Sequence, residues 1–379
     1  MNTLAQQLTA VEWDFADASA ATGLHALHSY PAKFIPDLPA ALIELLTEPG
    51  DLVIDPFAGG GTTGVEAARL RRQFFGADAN AFAVLLSNVK LRGITPQIRT
   101  ALKRHLERLA AVDLPAVGRK AWKPDIPNLE KWYDPKVFDE LAGLRTELLR
   151  LRNTAARDIA MLALASSAAR LSYQESETRY VSQPRQIDDG AALSTYASEV
   201  VRMLAALPRR EASEVGVVRL GDARDAQTYA GIGEGSVKAA ITSPPYPNAY
   251  DYHLYHRFRL FWLGVGPKAL RDVEIGSHLK NQSDQHPTDT YLADMAQVLS
   301  HVRGLLVPGG HFALVVGTGL HKGEIFDTAT ELSLLARAHG FEELVCVTRR
   351  LPSTRRSVTH AGRRLLEEQI LVLRAIERV

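Results

Sequence analysis

Thr242-Ser243-Pro244-Pro245-Tyr246 concentrates more chemistry than any other stretch of this chain. Two consecutive prolines fix φ and donate no backbone hydrogen bond. They stop the apolar run before them and hold the segment rigid. Ser243 offers a hydroxyl, the Pro244 carbonyl a second acceptor, and Tyr246 a flat ring. Two acceptors side by side suit the exocyclic amine of a nucleobase, whose lone pair is delocalised into the ring. Binding both N–H groups favours a pyramidal nitrogen that can be aimed at a methyl donor. The gain comes from alignment and from stabilising the positive charge that develops on nitrogen. Tyr246 supplies a stacking platform for a base turned out of a duplex.

A second group lies far upstream, Asp55-Pro56-Phe57-Ala58-Gly59-Gly60-Gly61-Thr62-Thr63-Gly64. Glycines between a strand and a helix allow positive φ and close approach of a ligand to the backbone, and the helix start offers unpaired N–H groups. Gly59, Gly61 and Gly64 satisfy G-x-G-x-x-G, with Asp78 about 20 residues on. Two ligands fit that pattern, a dinucleotide and S-adenosylmethionine. Asp55 separates them, because a carboxylate repels a pyrophosphate and attracts the ammonium of a methionine moiety. Asp78 suits ribose hydroxyls in either case, and Asp222 is placed to accept from an adenine amino group.

The elements that must carry these groups read as an α/β fold. Strands are expected at 51–57, 73–79, 215–221, 237–242, 309–317, 341–350 and 367–375, with a helix from about Thr62 to Arg71 facing Val65, Ala68 and Leu70 inward. Strand–helix alternation implies a parallel sheet with right-handed crossovers, and the last two strands are close enough to pair as an antiparallel ribbon. Residues from about 91 to 214 break the alternation and read as a helical insertion. The expected domains are 1–94, a cofactor-binding half; 95–212, the helical insertion; and 213–379, a catalytic half.

Asp55–Thr63, DPFAGGGTT, and Ser243–Tyr246, SPPY, resemble the cofactor motif and the catalytic tetrapeptide of the DNA amino-methyltransferases, which methylate cytosine N4 or adenine N6. The resemblance covers most of the chain outside 91–214. His28–Pro36, HSYPAKFIP, resembles the segment that closes over the cofactor in that family, and Asn248–Gly264 resembles the stretch after the tetrapeptide in its SPPY subgroup. The resemblance implies a Rossmann-like seven-stranded methyltransferase sheet with an antiparallel last strand, plus the insertion as a candidate target-recognition region. It implies Ser243, Pro244, Pro245 and Tyr246 as catalytic residues. It implies S-adenosylmethionine as cofactor, bound by Tyr30, Lys33, Phe34, Asp55, Pro56, Phe57, Ala58, Gly59, Gly61, Thr62, Thr63, Asp78 and Asp222. Serine at the head of the tetrapeptide leans towards cytosine N4, with adenine N6 the alternative. An RNA or protein amine methyltransferase and a DNA-binding regulator without turnover are the remaining readings. The expected partners are double-stranded DNA and a separate restriction endonuclease.

Composition narrows the rest. The 379 residues hold 44 Lys and Arg against 43 Asp and Glu, and a single cysteine. One thiol excludes a disulfide framework and a Cys-based zinc site and fits a reducing cytoplasm. Ring-carbon methylation of cytosine needs a thiolate, and Cys346, in an apolar strand, reads as core. His25 and His28 lack a partner at metal-ligand spacing, so no metal is expected. No apolar run is long enough for a membrane span, and the acidic N-terminus is unlike a signal peptide. Residues 1–90 carry 5 basic and 10 acidic side chains, 91–214 carry 20 and 16, and 341–379 carry 8 and 5. The basic tail, Arg349, Arg350, Arg355, Arg356, Arg363 and Arg364, is expected to touch phosphates.

Overall fold

Short apolar runs closed by turn residues become the strands of one seven-stranded sheet in the computed structural model. It describes all residues except 1, 20–21, 32, 34, 177–178, 210–214, 248–250, 278–286, 322–323, 352–366 and 378–379, and only the backbone of 179, 319–321 and 324–325. The strands are β1 (Leu52–Asp55), β2 (Gln73–Asp78), β3 (Gly216–Leu220), β4 (Val237–Thr242), β5 (Leu306–Gly317), β6 (Phe341–Arg350) and β7 (Glu367–Ala375). Their order across the sheet is β6-β7-β5-β4-β1-β2-β3. Pairs β4–β1, β1–β2, β2–β3 and β4–β5 are parallel, while β7 runs antiparallel to both β5 and β6. The expected seven strands with a reversed last strand are therefore present.

Contacts divide the chain into two units. Unit 1 is Met1–Leu91, Glu214–Asp251 and Arg271–Val379; unit 2 is Arg92–Ser213 and Tyr252–Leu270. Unit 1 contains the sheet, buried on both faces as parallel sheets require. Successive β1 residues divide between the two faces: Ile54 joins Phe75, Met295, Leu299 and Phe312, whereas Val53 joins Leu42, Ile43, Ile241 and Val315. The helix after β1, Thr62–Arg69, buries Val65 as expected, and Ala68 and Leu70 pack half-buried against the core; Ala67, fully buried, was not expected there.

Unit 2 is mainly helical, with Pro96–Leu109, Pro135–Leu149, Thr154–Leu171 and Ala191–Ala206 its longest helices. Asp134 and Asn153 cap two of these with side-chain oxygens, and Pro135 occupies a first-turn position. Trp132 and Tyr133 are buried among Phe138, Phe258 and Trp262, whereas Trp122 is half exposed beneath the Arg145 guanidinium, 3.9 Å away. Residues Tyr252–Leu270 group with this unit. A short hairpin pairs Gln174–Ser176 with Arg179–Ser182, an element too short to show a periodic signal in sequence. Among the described residues no helix is long and apolar enough to cross a membrane.

Candidate active site

Asp55 ends β1 and is only 2% exposed. Its Oδ2 accepts from Thr63 Oγ1 at 2.6 Å. Its Oδ1 accepts from Thr242 Oγ1 at 2.5 Å and from the Phe57 amide at 3.0 Å. Burial pushes the carboxyl up to about 6, against the opposing pull of those three bonds. Since Thr242 immediately precedes Ser243, one carboxylate ties the glycine turn to the proline segment across adjacent strands.

The glycine turn is built on special backbone. Gly61 has φ +76 and caps the helix; a Cβ there would lie 2.7 Å from Ser87 Oγ. A Cβ on Gly64 would lie 2.6 Å from the Phe74 ring. The Gly59 amide donates to Asp78 Oδ2 at 2.7 Å, and Asp78 Oδ1 accepts from the Asn80 amide at 2.8 Å. Burial, reinforced by Asp55 and Glu274, pushes Asp78 to about 6, with the two backbone donors opposing. Pro56, Ala58, Thr62 and Thr63 are buried and Phe57 is half-buried; the Ala58 amide donates to the Ala77 carbonyl at 2.9 Å.

Two residues that the sequence reading missed hold this turn from below. Ser87 Oγ donates to the Gly59 carbonyl at 2.8 Å, and Lys90 Nζ to the Gly60 carbonyl at 2.5 Å. They sit three positions apart on the helix Ala81–Arg92, polar side chains on its buried face. Burial pushes Lys90 down to about 7, with Lys33 adding to the effect. Lys33 donates to the His25 and His28 carbonyls at 2.6 and 3.3 Å, and burial lowers it to about 8. Tyr30 packs on the turn: a Cβ on Gly60 would lie 3.1 Å from Tyr30 Cβ, and its hydroxyl accepts from Asn80 Nδ2 at 3.3 Å. His25 pairs with Glu66 at 2.8 Å. Phe34 lies outside the described residues.

Ser243, Pro245 and Tyr246 are half-buried and Pro244 is buried, just past the C-terminal end of β4. The Tyr246 hydroxyl donates to Glu368 Oε1 at 3.0 Å, and Glu368 Oε2 lies 3.5 Å from Arg349 Nη1. Arg349 is fully buried, which corrects its expected role at the DNA surface; the carboxylate opposite it in the β6–β7 ladder draws it inward. Arg350 is exposed, and Arg355, Arg356, Arg363 and Arg364 lie outside the described residues. Cys346 also needs correction: it is exposed on the edge strand β6 rather than part of the core. Partial desolvation, with Glu343 and Asp327 nearby, pushes its thiol up to about 11, so it is not a thiolate nucleophile. Asp222 follows β3, and Arg224 grips its carboxylate at 2.6 Å while also pairing with Asp294 at 2.6 Å. After the tetrapeptide, Asp251 accepts from Ser277 Oγ at 2.7 Å, and His253 and His256 are buried.

A glycine turn and a rigid Ser-Pro-Pro-Tyr segment, tied together, lie at the C-terminal edge of an α/β sheet with one reversed strand, the edge where such sheets bind ligands. The DNA methylase family model N6_N4_Mtase matches residues 7–88. The type II methyltransferase M.MjaII of Methanocaldococcus jannaschii is 21% identical over 84% of this chain and 77% of its own length. M.PvuII of Proteus hauseri is 38% identical over 19% of this chain and 24% of its own. M.BglI of Bacillus subtilis is 46% identical over 16% of this chain and 17% of its own. These matches support the DNA amino-methyltransferase family, which uses S-adenosylmethionine.

Proposed function

We propose that this protein transfers a methyl group from S-adenosylmethionine to the exocyclic N4 of cytosine in double-stranded DNA. The observation that carries the reading is the carboxylate of Asp55, bonded at once to Thr63 at the glycine turn and to Thr242 beside Ser243. It keeps the proposed donor and acceptor segments in fixed register.

The chain's residues fit the cofactor. A side chain at Gly61 would collide with Ser87 and one at Gly64 with Phe74, so the turn and first helical residues are held to bare backbone, the form that lets a ligand approach closely. Asp78 uses its two oxygens on two backbone donors and, as a half-buried carboxylate with about four lone-pair positions, keeps acceptor capacity for ribose hydroxyls. Asp55 has three protein donors, so it acts on a cationic ligand through its charge rather than as a bidentate contact. Tyr30, Lys33, Phe34, Pro56, Phe57, Ala58, Gly59, Thr62 and Thr63 complete the proposed binding surface, with Asp222 at the adenine end. When bound, the cofactor would supply an electrophilic methyl on a sulfonium, whose carbon–sulfur bond breaks on transfer so that the sulfur leaves as a neutral thioether.

Ser243 Oγ and the Pro244 carbonyl accept the two N–H groups of the target amine and orient its lone pair. Tyr246 stacks on the base. As nitrogen gains positive charge, the two acceptors stabilise it, and a proton leaves to solvent once the fourth bond has formed. The test is methylation of a mixed-sequence duplex library with labelled cofactor and base-resolved detection. Label on cytosine N4 is expected. Label on adenine N6 replaces the base assignment, and no label on any duplex overturns the DNA reading.

A further inference from the structure

Unit 2 holds a buried cation that the reaction above does not use. Arg257 opens the helix Arg257–Leu263 and is 5% exposed. Its guanidinium carbon lies 3.9 Å from the centre of the Tyr180 ring, 4.4 Å from that of Trp132 and 4.7 Å from that of Phe258. Nε and Nη2 are buried without a hydrogen-bond partner. Ring faces offset part of the cost of desolvating a cation, but they leave its N–H groups unsatisfied. Nε and Nη2 form one edge of the planar fork, the edge that takes two acceptors side by side.

The surroundings suit a polyanion. Unit 2 carries 23 Lys and Arg against 15 Asp and Glu, net +8, while unit 1 carries 21 against 28, net −7. Lys131 sits over the same Trp132 ring, 5.3 Å from its centre. Tyr180, which covers the guanidinium, is 57% exposed, and its hairpin neighbour Val181 is 50% exposed.

We propose that Arg257, capped by Tyr180, is a DNA contact whose Nε–Nη2 edge takes a bidentate acceptor of the duplex, either two phosphate oxygens or the O6/N7 edge of a guanine. The inference rests on the DNA reading above. In the free protein the fork is stored between Trp132 and Tyr180; displacement of the exposed Tyr180 ring uncovers it.

The experiment measures duplex affinity of the full chain at several salt concentrations, with S-adenosylmethionine affinity and methylation measured in parallel. Arg257→Met, which keeps the packing volume, is expected to weaken DNA binding about tenfold and leave cofactor affinity unchanged. A phosphate partner predicts a loss uniform across sequences and a salt slope reduced by about 0.9. A guanine partner predicts a loss confined to duplexes with that guanine, with methylation spreading to sites that lack it. Tyr180→Glu, at an exposed position, sets a carboxylate against the guanidinium and is expected to weaken binding more than Val181→Glu beside it. Wild-type affinity, slope and sequence preference in Arg257→Met overturn the inference. So does an equal loss in Tyr180→Glu and Val181→Glu, and that pair alone decides if Arg257→Met does not fold. A wild-type protein that binds no duplex overturns the DNA reading itself. One that binds and methylates, with variants to match, overturns only the role of Arg257.

Discussion

In the proposed reaction Ser243 meets the amine and Tyr246 the base, so their loss is expected to separate turnover from cofactor binding. Ser243→Ala removes one of two acceptors and is expected to lower kcat about 100-fold, with S-adenosylmethionine affinity within about twofold of wild type. Equilibrium cofactor binding beside single-turnover methylation checks this; a parallel loss in both measurements assigns Ser243 to the cofactor instead. Tyr246→Ala is expected to behave likewise and to abolish the fluorescence rise of a fluorescent cytosine analogue placed at the target position. Asp55 belongs to the same scale but speaks through pH. Burial raises its folded value to about 6, above the roughly 3.9 of an unfolded chain. Between those values the folded state holds a proton that the unfolded state has released. The free energy of unfolding therefore falls as pH rises through that window, and Asp78 contributes in the same direction. Asp55→Asn is expected to flatten the fall in thermal midpoint between about pH 4 and pH 6; curves parallel to wild type would refute the assignment. Asp55 was legible because an acid before three glycines is a local signal. Its bonds to Thr63 and Thr242 were not, since Thr242 lies in a strand that only the fold brings alongside.

The β6–β7 ribbon shows what an element adds to a site made elsewhere. Its strands were readable from their apolar runs, and the pairing Arg349 with Glu368 follows from the antiparallel register. The burial of that pair was not readable, because arginines in a basic tail look solvated until a cross-strand carboxylate is in place. Cys346 was misread for the opposite reason: side chains alternate between the faces of β6, and Cys346 falls on the exposed one between the half-buried Val345 and Val347. Ser87 and Lys90 escaped notice because a lysine on a helix suggests water, whereas here the Gly60 carbonyl receives it. The ribbon also has an energetic signature. Glu368→Gln keeps an acceptor for the Tyr246 hydroxyl but leaves Arg349 as a buried, uncompensated charge. A destabilisation of about 3 kcal/mol is expected, and adding Arg349→Met should recover most of it. Chemical denaturation of the two single variants and the double variant measures the coupling. Additive losses would mean that the pair contributes nothing to the fold.

At the scale of the molecule, a net charge of +1 conceals two opposed charges, −7 on the unit that holds the sheet and +8 on the unit that does not. The fold explains why the segment counts showed this only in part. Tyr252–Leu270 contributes Arg257, Arg259 and Lys268 and no acid, yet it lies beyond the tetrapeptide in sequence and joins unit 2 only through its contacts. A chain with +1 spread evenly would release few counterions on a duplex and show a shallow salt dependence. Segregated charge predicts a steep one, with affinity falling by about 10³ or more between 50 and 200 mM salt if some six phosphates are neutralised. It also predicts where the slope resides. Lys131→Gln, exposed in unit 2, is expected to lower the slope by about 0.9, whereas Arg337→Gln, also exposed but in unit 1, should leave it unchanged. Titrating duplex binding against salt for these two variants decides between segregated and diffuse attraction. Equal slopes for both would place the DNA contact outside unit 2, and a greater effect from Arg337 would assign the duplex to the sheet-bearing unit, against its net negative charge.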